Sequence, residues 1–224
     1  MPPLRTHSRP RSARTPQAYD LWACALVRHA YVDMSERRHH QAEQMLGAAE
    51  RLAGQGDRNL STRHWAASVQ AEAYAALGDL DACEHAMERA EAVRDLSAES
   101  VNGGWLRFDG ARLAEERGSR YVQLGRLDLA EEALERALAQ MALAPGQSYR
   151  RRGAVLTDMA AIGAKRRDAD QVVAYGKEAI GLARASGSGY AARRLQVLCD
   201  EFGPLSRDRR VAELGAEIAT LRTP

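Results

Sequence analysis

The chain has 224 residues, enough to bury a sizeable core without disulfide or metal cross-links. No stretch approaches the roughly 18 consecutive apolar residues that a membrane helix needs, because Arg, Glu or Asp interrupts every apolar run. The 32 basic and 30 acidic residues leave a formal net charge of +2, so overall charge gives no argument for nucleic-acid binding. We therefore expect no membrane insertion, and no nucleic-acid binding without an additional domain.

Cysteine usage and the N-terminal sequence indicate a cytoplasmic protein. Cys24, Cys83 and Cys199 are odd in number and far apart, so we expect no disulfide framework. The basic residues near the N-terminus are not followed by the apolar segment of a secretory signal. All but two of the basic residues are arginine and alanine is abundant, a bias that suggests a GC-rich bacterial genome.

Residues 1–16 differ in composition from the rest of the chain. They contain four arginines, four prolines and no acid, and they offer little that folding could bury. We predict a disordered basic tail over 1–16 and a single domain over 17–224. The tail is either an arm that contacts phosphates or an acidic partner, or a remnant of the start site or of cloning.

The remainder of the chain has the periodicity of helices. No proline lies between residues 17 and 144, two-residue alternation is not sustained, and aromatic residues make up only 5% of the sequence. Apolar residues recur three and four positions apart, with acids on the opposite face. The clearest example is Leu127, Ala130, Leu134, Ala137, Leu138 and Met141. These features predict an all-α fold.

Two segments share a six-position ladder, which we define as a small residue followed by an aromatic at +3, Gly at +7, a small residue at +12, a large apolar residue at +16 and Ala at +19. The two copies are Ala71, Tyr74, Gly78, Cys83, Met87 and Ala90, and Gly118, Tyr121, Gly125, Ala130, Leu134 and Ala137. Small residues let two antiparallel helices approach closely, and Gly permits a left-handed cap at the turn between them.

Weaker copies of the ladder flank these two. One begins at Ala30 and departs from the pattern at Asp33 and Arg37; the other begins at Ala160 and departs at Gly163, Arg167 and Gly176. The intervals between the four origins are 41, 47 and 42 residues. A last pair of helices is expected beyond residue 187, with a break at residues 203–204. Four or five antiparallel helix pairs are therefore predicted.

The ladder segments resemble tetratricopeptide repeats, although the intervals exceed the usual length of about 34 residues and indicate longer helices or inserted connections. More specifically, residues 61–221 resemble the C-terminal repeat region of actinobacterial helix-turn-helix transcriptional regulators, on the segments AEAYAALGDLDACEHAMERAEA, RGSRYVQLGRLDLAEEALERAL and RRLQVLCDEFGPL. The resemblance implies a right-handed superhelical solenoid whose repeats sense a partner or ligand. The DNA-binding domain of that family has no counterpart here, because no helix-turn-helix pattern precedes residue 18.

The inner surface of such a solenoid is the expected binding site, since the first helix of each pair lines it. Positions on either side of each ladder origin would face this groove. The predicted groove residues are Tyr31, Trp65, Ser68, Glu72, Arg112, Glu115, Ser119, Gln123, Thr157 and Lys165. An aromatic anchor among polar side chains suits an extended peptide or protein tail. The alternative is an ordinary solvated face.

A run of three arginines at the start of a predicted helix could clamp a carboxylate or a phosphate. These residues are Arg150, Arg151 and Arg152, and they could equally form a solvated face. A second hypothesis for the groove is a small-molecule site or an enzyme. Its polar centre would consist of the same arginine run with Glu72, Arg112 and Glu115.

Catalytic and phosphate-binding motifs are absent from the sequence, so we expect no enzymatic activity and no cofactor. His39 and Glu43 lie one helical turn apart, but a metal site needs further ligands, and a solvated helix start is the better interpretation. The turn at residues 186–189, followed by Arg193 and Arg194, could present N–H groups to an anion or be a flexible connection.

We therefore predict a non-catalytic binding module that recognises a peptide or protein partner in its groove. The resemblance implies a regulatory role. A small-molecule ligand and a homodimer are left open.

Overall fold

The computed structural model describes residues 16–96, 108, 110–140, 143–187 and 189–221. Within these ranges the chain forms ten α-helices and no strand, so the predicted all-α class is confirmed. The helices are α1 (Pro16–Ser35), α2 (His39–Ala53), α3 (Thr62–Leu77), α4 (Leu80–Glu91), α5 (Leu113–Gln123), α6 (Leu127–Leu138), α7 (Tyr149–Arg166), α8 (Ala169–Ser186), α9 (Gly189–Asp200) and α10 (Arg209–Ala219).

Two sequence predictions concern the ends of the chain, namely the N-terminal tail and the break before the last helix. The tail predicted for residues 1–16 lies outside the described residues except for Pro16, which is the first residue of α1. The expected break near the C-terminus is a short 3₁₀ helix, Gly203–Arg207, between α9 and α10. In the described part of the chain, no helix combines the length and the apolar character needed to cross a membrane.

The chain divides into two compact units. Of the described residues, those up to Leu77 and those from Glu84 to Gly110 form the first unit, and Gly78–Cys83 and those from Ala111 onward form the second. Helix α4 therefore contributes to both units. The single domain over residues 17–224 stays a prediction.

The turns that follow α1, α3, α5 and α7 each contain a residue with a positive φ. The residue at the +7 position of each ladder has a positive φ, which is 78° at Gly78 and 70° at Gly125. Arg37 and Arg167 occupy the same position in the weaker copies and have φ values of 59° and 61°. The two arginines therefore depart from the ladder in residue type and not in conformation, although the left-handed region is costly for a residue with a Cβ.

One hydrogen bond closes three of these turns. The N–H after the left-handed residue donates to the carbonyl five residues earlier, as expected for a helix that ends in a Schellman motif. The pairs are Arg38 N to Asp33 O at 2.8 Å, Arg126 N to Tyr121 O at 2.9 Å, and Asp168 N to Gly163 O at 2.8 Å. The bond satisfies a carbonyl that the helix itself leaves without a donor.

Two close contacts between helices occur at glycine residues. A Cβ on Gly118 of α5 would lie 2.5 Å from Cδ2 of Leu134 on α6, and a Cβ on Gly176 of α8 would lie 2.6 Å from Cδ2 of Leu214 on α10. Both leucines are fully buried. Gly176 is one of the departures from the ladder, so the structure assigns it a packing role against the last helix.

In the second unit, α7 is the central helix. It pairs with α8 and contacts α5 on one side and α9 on the other, so α5, α7 and α9 lie side by side. Helix α10 packs mainly on α8. A buried core joins α7 and α9 to α8 and α10, and it includes Leu156, Ile180 and Leu195. This arrangement leaves one face of α5, α7 and α9 outside the core.

In the first unit, a small-residue core joins α1, α2 and α3. Asp20 of α1 is almost fully buried, and its Oδ2 accepts a hydrogen bond from the N–H of Asp57 in the loop after α2, at 2.9 Å. A Cβ on the neighbouring Gly56 would lie 2.2 Å from the same oxygen, so only glycine fits beside the carboxylate.

A buried histidine links α3 to α4 within the first unit. Arg63 can only donate, so the 3.0 Å bond from its Nε makes Nε2 of His64 an acceptor. The ring proton must then be on Nδ1, which donates to the carbonyl of Arg89 at 2.8 Å. Burial, with a smaller effect from the Arg63 charge, lowers the pKa of His64.

The first prediction concerns Gly118. We expect Gly118→Ala to lower the free energy of unfolding by about 1–2 kcal/mol, because the new methyl group overlaps the buried Leu134 side chain. Gly181→Ala is the matched control, since nothing lies within 4 Å of a Cβ there and α8 would gain up to about 1 kcal/mol of helix propensity. Urea unfolding of both variants measures the difference. A loss of equal size in both would contradict the close contact.

The second prediction concerns acid stability. Because the folded-state pKa of His64 is lowered, its contribution to stability is complete above the unfolded pKa of about 6.5 and is lost as the pH falls towards the folded-state pKa. His64→Asn keeps a donor for the Arg89 carbonyl and does not titrate. Urea unfolding at about pH 7.5 and 5.5 should show a smaller acid-induced loss in this variant than in the parent chain.

His85→Asn serves as the control for acid stability, because His85 is an exposed residue of α4. It should behave like the parent chain at both pH values. An unchanged acid-induced loss in His64→Asn would show that His64 is not the group responsible.

Candidate binding groove

A cavity of about 530 Å³ lies on the face of α5, α7 and α9 in the second unit. Helix α5 contributes Ser119, Val122 and Gln123 to its lining. Helix α7 contributes residues spaced by four, which therefore project from one side of the helix. They are Thr157, Ala161 and Lys165, with Asp158 beside them.

Helix α9 supplies the other wall, again at helical spacing. Its lining residues are Tyr190, Arg193, Arg194, Val197, Leu198 and Glu201. Val197 is 63% exposed, so an aliphatic side chain in this wall is accessible to a ligand. The cavity therefore combines an accessible apolar position with polar walls.

Four of the predicted groove residues line this cavity, namely Ser119, Gln123, Thr157 and Lys165. Thr157 is buried, and its hydroxyl donates to the carbonyl of Gly153 one turn earlier on α7, at 2.8 Å. Ser119 is half-buried and Gln123 is exposed, so both can offer polar groups to a ligand.

Arg112 and Glu115 belong to the same unit and do not line the cavity. Glu115 is buried and accepts hydrogen bonds from Arg151 of α7, one of them from Nε at 3.0 Å. Arg112 is exposed and its Nε lies 4.0 Å from Glu115 Oε2. The Arg151 guanidinium also donates to the carbonyl of Ala111 at 2.8 Å. Glu115 thus connects α5 to α7 from within the protein.

The remaining predicted groove residues lie in the first unit. Tyr31 on α1 is 43% exposed. On α3, Ser68 is buried, Glu72 is half-buried, and Trp65 is half-buried with its side chain packed against the core. Trp65 therefore contributes to the packing of this unit.

The three arginines at the start of α7 point to different partners. The guanidinium of Arg150 lies over the ring of Tyr190, 4.4 Å from its centroid. Arg151 binds Glu115, while Arg152 binds Glu178 of α8 at 2.8 Å and the carbonyl of Leu143 at 3.0 Å. Consecutive helical residues are rotated by about 100°, so the run does not converge on one anion.

A buried ion pair connects two walls of the cavity. Arg194 of α9 donates to Asp158 of α7, and also to the hydroxyl oxygen of Tyr190 at 3.3 Å. The Asp158 and Arg194 side chains are 12% and 29% exposed. The Asp158 carboxylate, more than any other neighbour, raises the pKa of Arg194.

A second ion pair lies at the other end of the same walls. Lys165 of α7 is 2.8 Å from Glu201 of α9, and both side chains are partly exposed. Both acids of the cavity lining are therefore paired with a lysine or arginine of the same lining. Arg193 is the remaining cation, and it has no ion-pair or hydrogen-bond partner in the described parts of the chain.

The α9 wall was not predicted as part of the groove. The sequence did single out Arg193 and Arg194, but as a feature of the preceding turn. The ladder has no copy that reaches α9, so no register was available to place its inner face. The spacing of Tyr190, Arg194, Val197 and Glu201 was the signal that could have placed it.

Neither a metal site nor a relative assigns a function to the groove. No group of three His, Cys, Asp or Glu side chains gathers within the described ranges, and Glu43 instead accepts a hydrogen bond from the Tyr74 hydroxyl at 3.0 Å. Comparisons with protein-family models, curated proteins and solved structures find no match to this chain.

The third prediction separates the two ion pairs of the cavity. We expect Asp158→Asn to lower the free energy of unfolding by about 2 kcal/mol, because it leaves a largely buried arginine without its counter-charge. Glu201→Gln should cost less than about 1 kcal/mol, because its pair with Lys165 is partly solvated. Urea unfolding at neutral pH measures both. Equal costs would contradict the difference in burial.

Proposed function

We propose that the chain is a non-catalytic helical-repeat module that binds an extended peptide or protein segment in the groove lined by α5, α7 and α9. The observation that carries the proposal is the composition of this groove. It offers exposed Val197 as an apolar contact, and Ser119 and Gln123 as polar groups for a peptide backbone or side chain. Extended segments are recognised by this mixture of apolar and hydrogen-bonding contacts.

The openness of the groove favours a segment of chain over a small enclosed ligand. Lys165 and Glu201 are 30% and 40% exposed at one end, and Val197 is accessible from the side. A ligand could therefore reach Val197 and the Lys165 end of the groove from solvent. Glu115 and Arg151, part of the polar centre suggested for a small-molecule site, are instead bound to each other.

Two features expected of tetratricopeptide-like repeats support the same proposal. The four left-handed residues recur at one ladder position, and the close approach at Gly118 is the helix contact that the ladder predicts. In stacked repeats of this kind, the first helices form the concave binding surface. The regulatory role rests on the resemblance of three sequence segments to the repeat region of bacterial transcriptional regulators.

The fourth prediction tests the groove by blocking it. Random peptides of about ten residues displayed on phage would be selected against the chain, and enriched sequences synthesised and titrated by fluorescence anisotropy. We expect Gln123→Trp to weaken binding at least about tenfold, because the indole fills the cavity from the α5 side. Gln147→Trp is the matched control, since Gln147 is exposed and lies outside the cavity lining.

Thermal unfolding of both variants would show that each remains folded. The proposal fails if no peptide is enriched, or if the two tryptophan variants weaken binding equally.

A further inference from the structure

The groove lining contains more basic than acidic side chains. Its lining contains two acids, and each is paired with a cation of the same lining: Asp158 with Arg194 and Glu201 with Lys165. Arg193 remains, exposed and without a polar partner in the residues that the structure describes. The groove therefore presents one positive charge that the protein itself does not neutralise.

A second arginine adds to this charge at the same end of the groove. Arg150 is exposed, and the ring of Tyr190 is the contact that the structure gives it, with its guanidinium 4.4 Å from the ring centroid. Stacking on a ring orients a guanidinium and leaves the N–H groups at its edge free to donate. Arg193 lies three residues after Tyr190 on α9, so the two arginines flank the same helical turn.

The tyrosine is itself held in place. Arg194, fixed by Asp158, donates to the hydroxyl oxygen of Tyr190 at 3.3 Å. The ring that orients Arg150 is therefore supported from the buried side of the groove. This is a prearranged cationic site, in which the cost of ordering one long side chain has already been met by the fold.

The spacing along α9 adds a pattern to the charge. Arg193 and exposed Val197 are four residues apart, which is about 6 Å along a helix. Side chains at alternate positions of an extended peptide project from one side and are about 6.6 Å apart. An acidic residue and an aliphatic residue two positions away would thus reach Arg193 and Val197 together.

The geometry points to an acidic peptide as the occupant of this groove, held by Arg193 and Arg150 through its carboxylates and by Val197 through an aliphatic side chain. This inference rests on the proposed function and narrows it to one class of ligand. Carboxylates suit the site because arginine binds them through paired, charge-assisted hydrogen bonds.

The test uses three labelled heptapeptides with Ala at the even positions, Val at positions 3 and 7, and Glu, Gln or Lys at positions 1 and 5, so that the variable residue and Val project from one side. Fluorescence anisotropy with the full chain should show the Glu peptide binding at least about tenfold more tightly than the Gln peptide, and the Lys peptide binding more weakly still. Raising the salt concentration from about 50 to 300 mM should weaken the Glu peptide several-fold and leave the Gln peptide nearly unchanged.

Two substitutions assign the preference to residues. Arg193→Gln and Arg150→Gln should each reduce the advantage of the Glu peptide over the Gln peptide by about three- to tenfold. Arg209→Gln is the control with the same loss of charge, since this 91% exposed residue of α10 pairs with Glu213 and lies outside the cavity lining. An equal effect of the control would show a general electrostatic attraction and overturn the inference.

The outcomes also separate this inference from the proposal on which it rests. If the Gln peptide binds as tightly as the Glu peptide, and Gln123→Trp abolishes both, the groove binds peptides without selecting acidic ones. If the Glu peptide shows no binding at about 1 mM while library peptides bind and are lost in Gln123→Trp, the inference again fails and the function stands. If no peptide binds in a Gln123-dependent manner, both fail.

Discussion

Two helices can lie in close contact only where one of them presents almost no side chain to the other, and this constraint organises the second unit. Gly118 admits the Leu134 side chain between α5 and α6, and Gly176 admits Leu214 between α8 and α10. Each contact fixes the register of its pair, because a shift by one residue would place a Cβ against a buried leucine. Beside these pairs, α7 contacts both α5 and α9, and these three helices line the groove.

The fold was predictable from the sequence as far as it depends on local information. Periodic apolar residues predicted the helices, because helical burial repeats every three or four residues. The Gly-Pro pair predicted the break before the last helix. The turns at Arg37 and Arg167 were harder to predict, since residue type argued against a left-handed conformation. At both arginines, as at Gly125, the left-handed conformation occurs together with the hydrogen bond that closes the turn. This bond offsets part of the steric cost of a Cβ in that conformation.

The groove was predictable in part for the same reason. Ser119, Gln123, Thr157 and Lys165 were placed by counting from the ladder, and α5 and α7 carry that ladder. No copy of the ladder extends into α9, so its groove-facing positions could not be counted in the same way. The partners of the charged residues were also beyond the sequence: whether Arg151 faces a ligand or Glu115 depends on how α5 and α7 pack, which residue spacing within one helix does not specify. Binding surfaces built from three helices need tertiary structure to be recognised.

The contact between Asp20 and the loop after α2 has a consequence for how this sequence can change over evolutionary time. The Asp20 carboxylate accepts a hydrogen bond from the main-chain N–H of Asp57, and every residue type except proline supplies that group. Side chains in the loop can therefore drift without releasing the first helix. Gly56 cannot, because any other residue would collide with the carboxylate. In divergent descendants, an aspartate retained in the first helix and a single glycine retained in a variable loop would mark common ancestry after overall identity has faded.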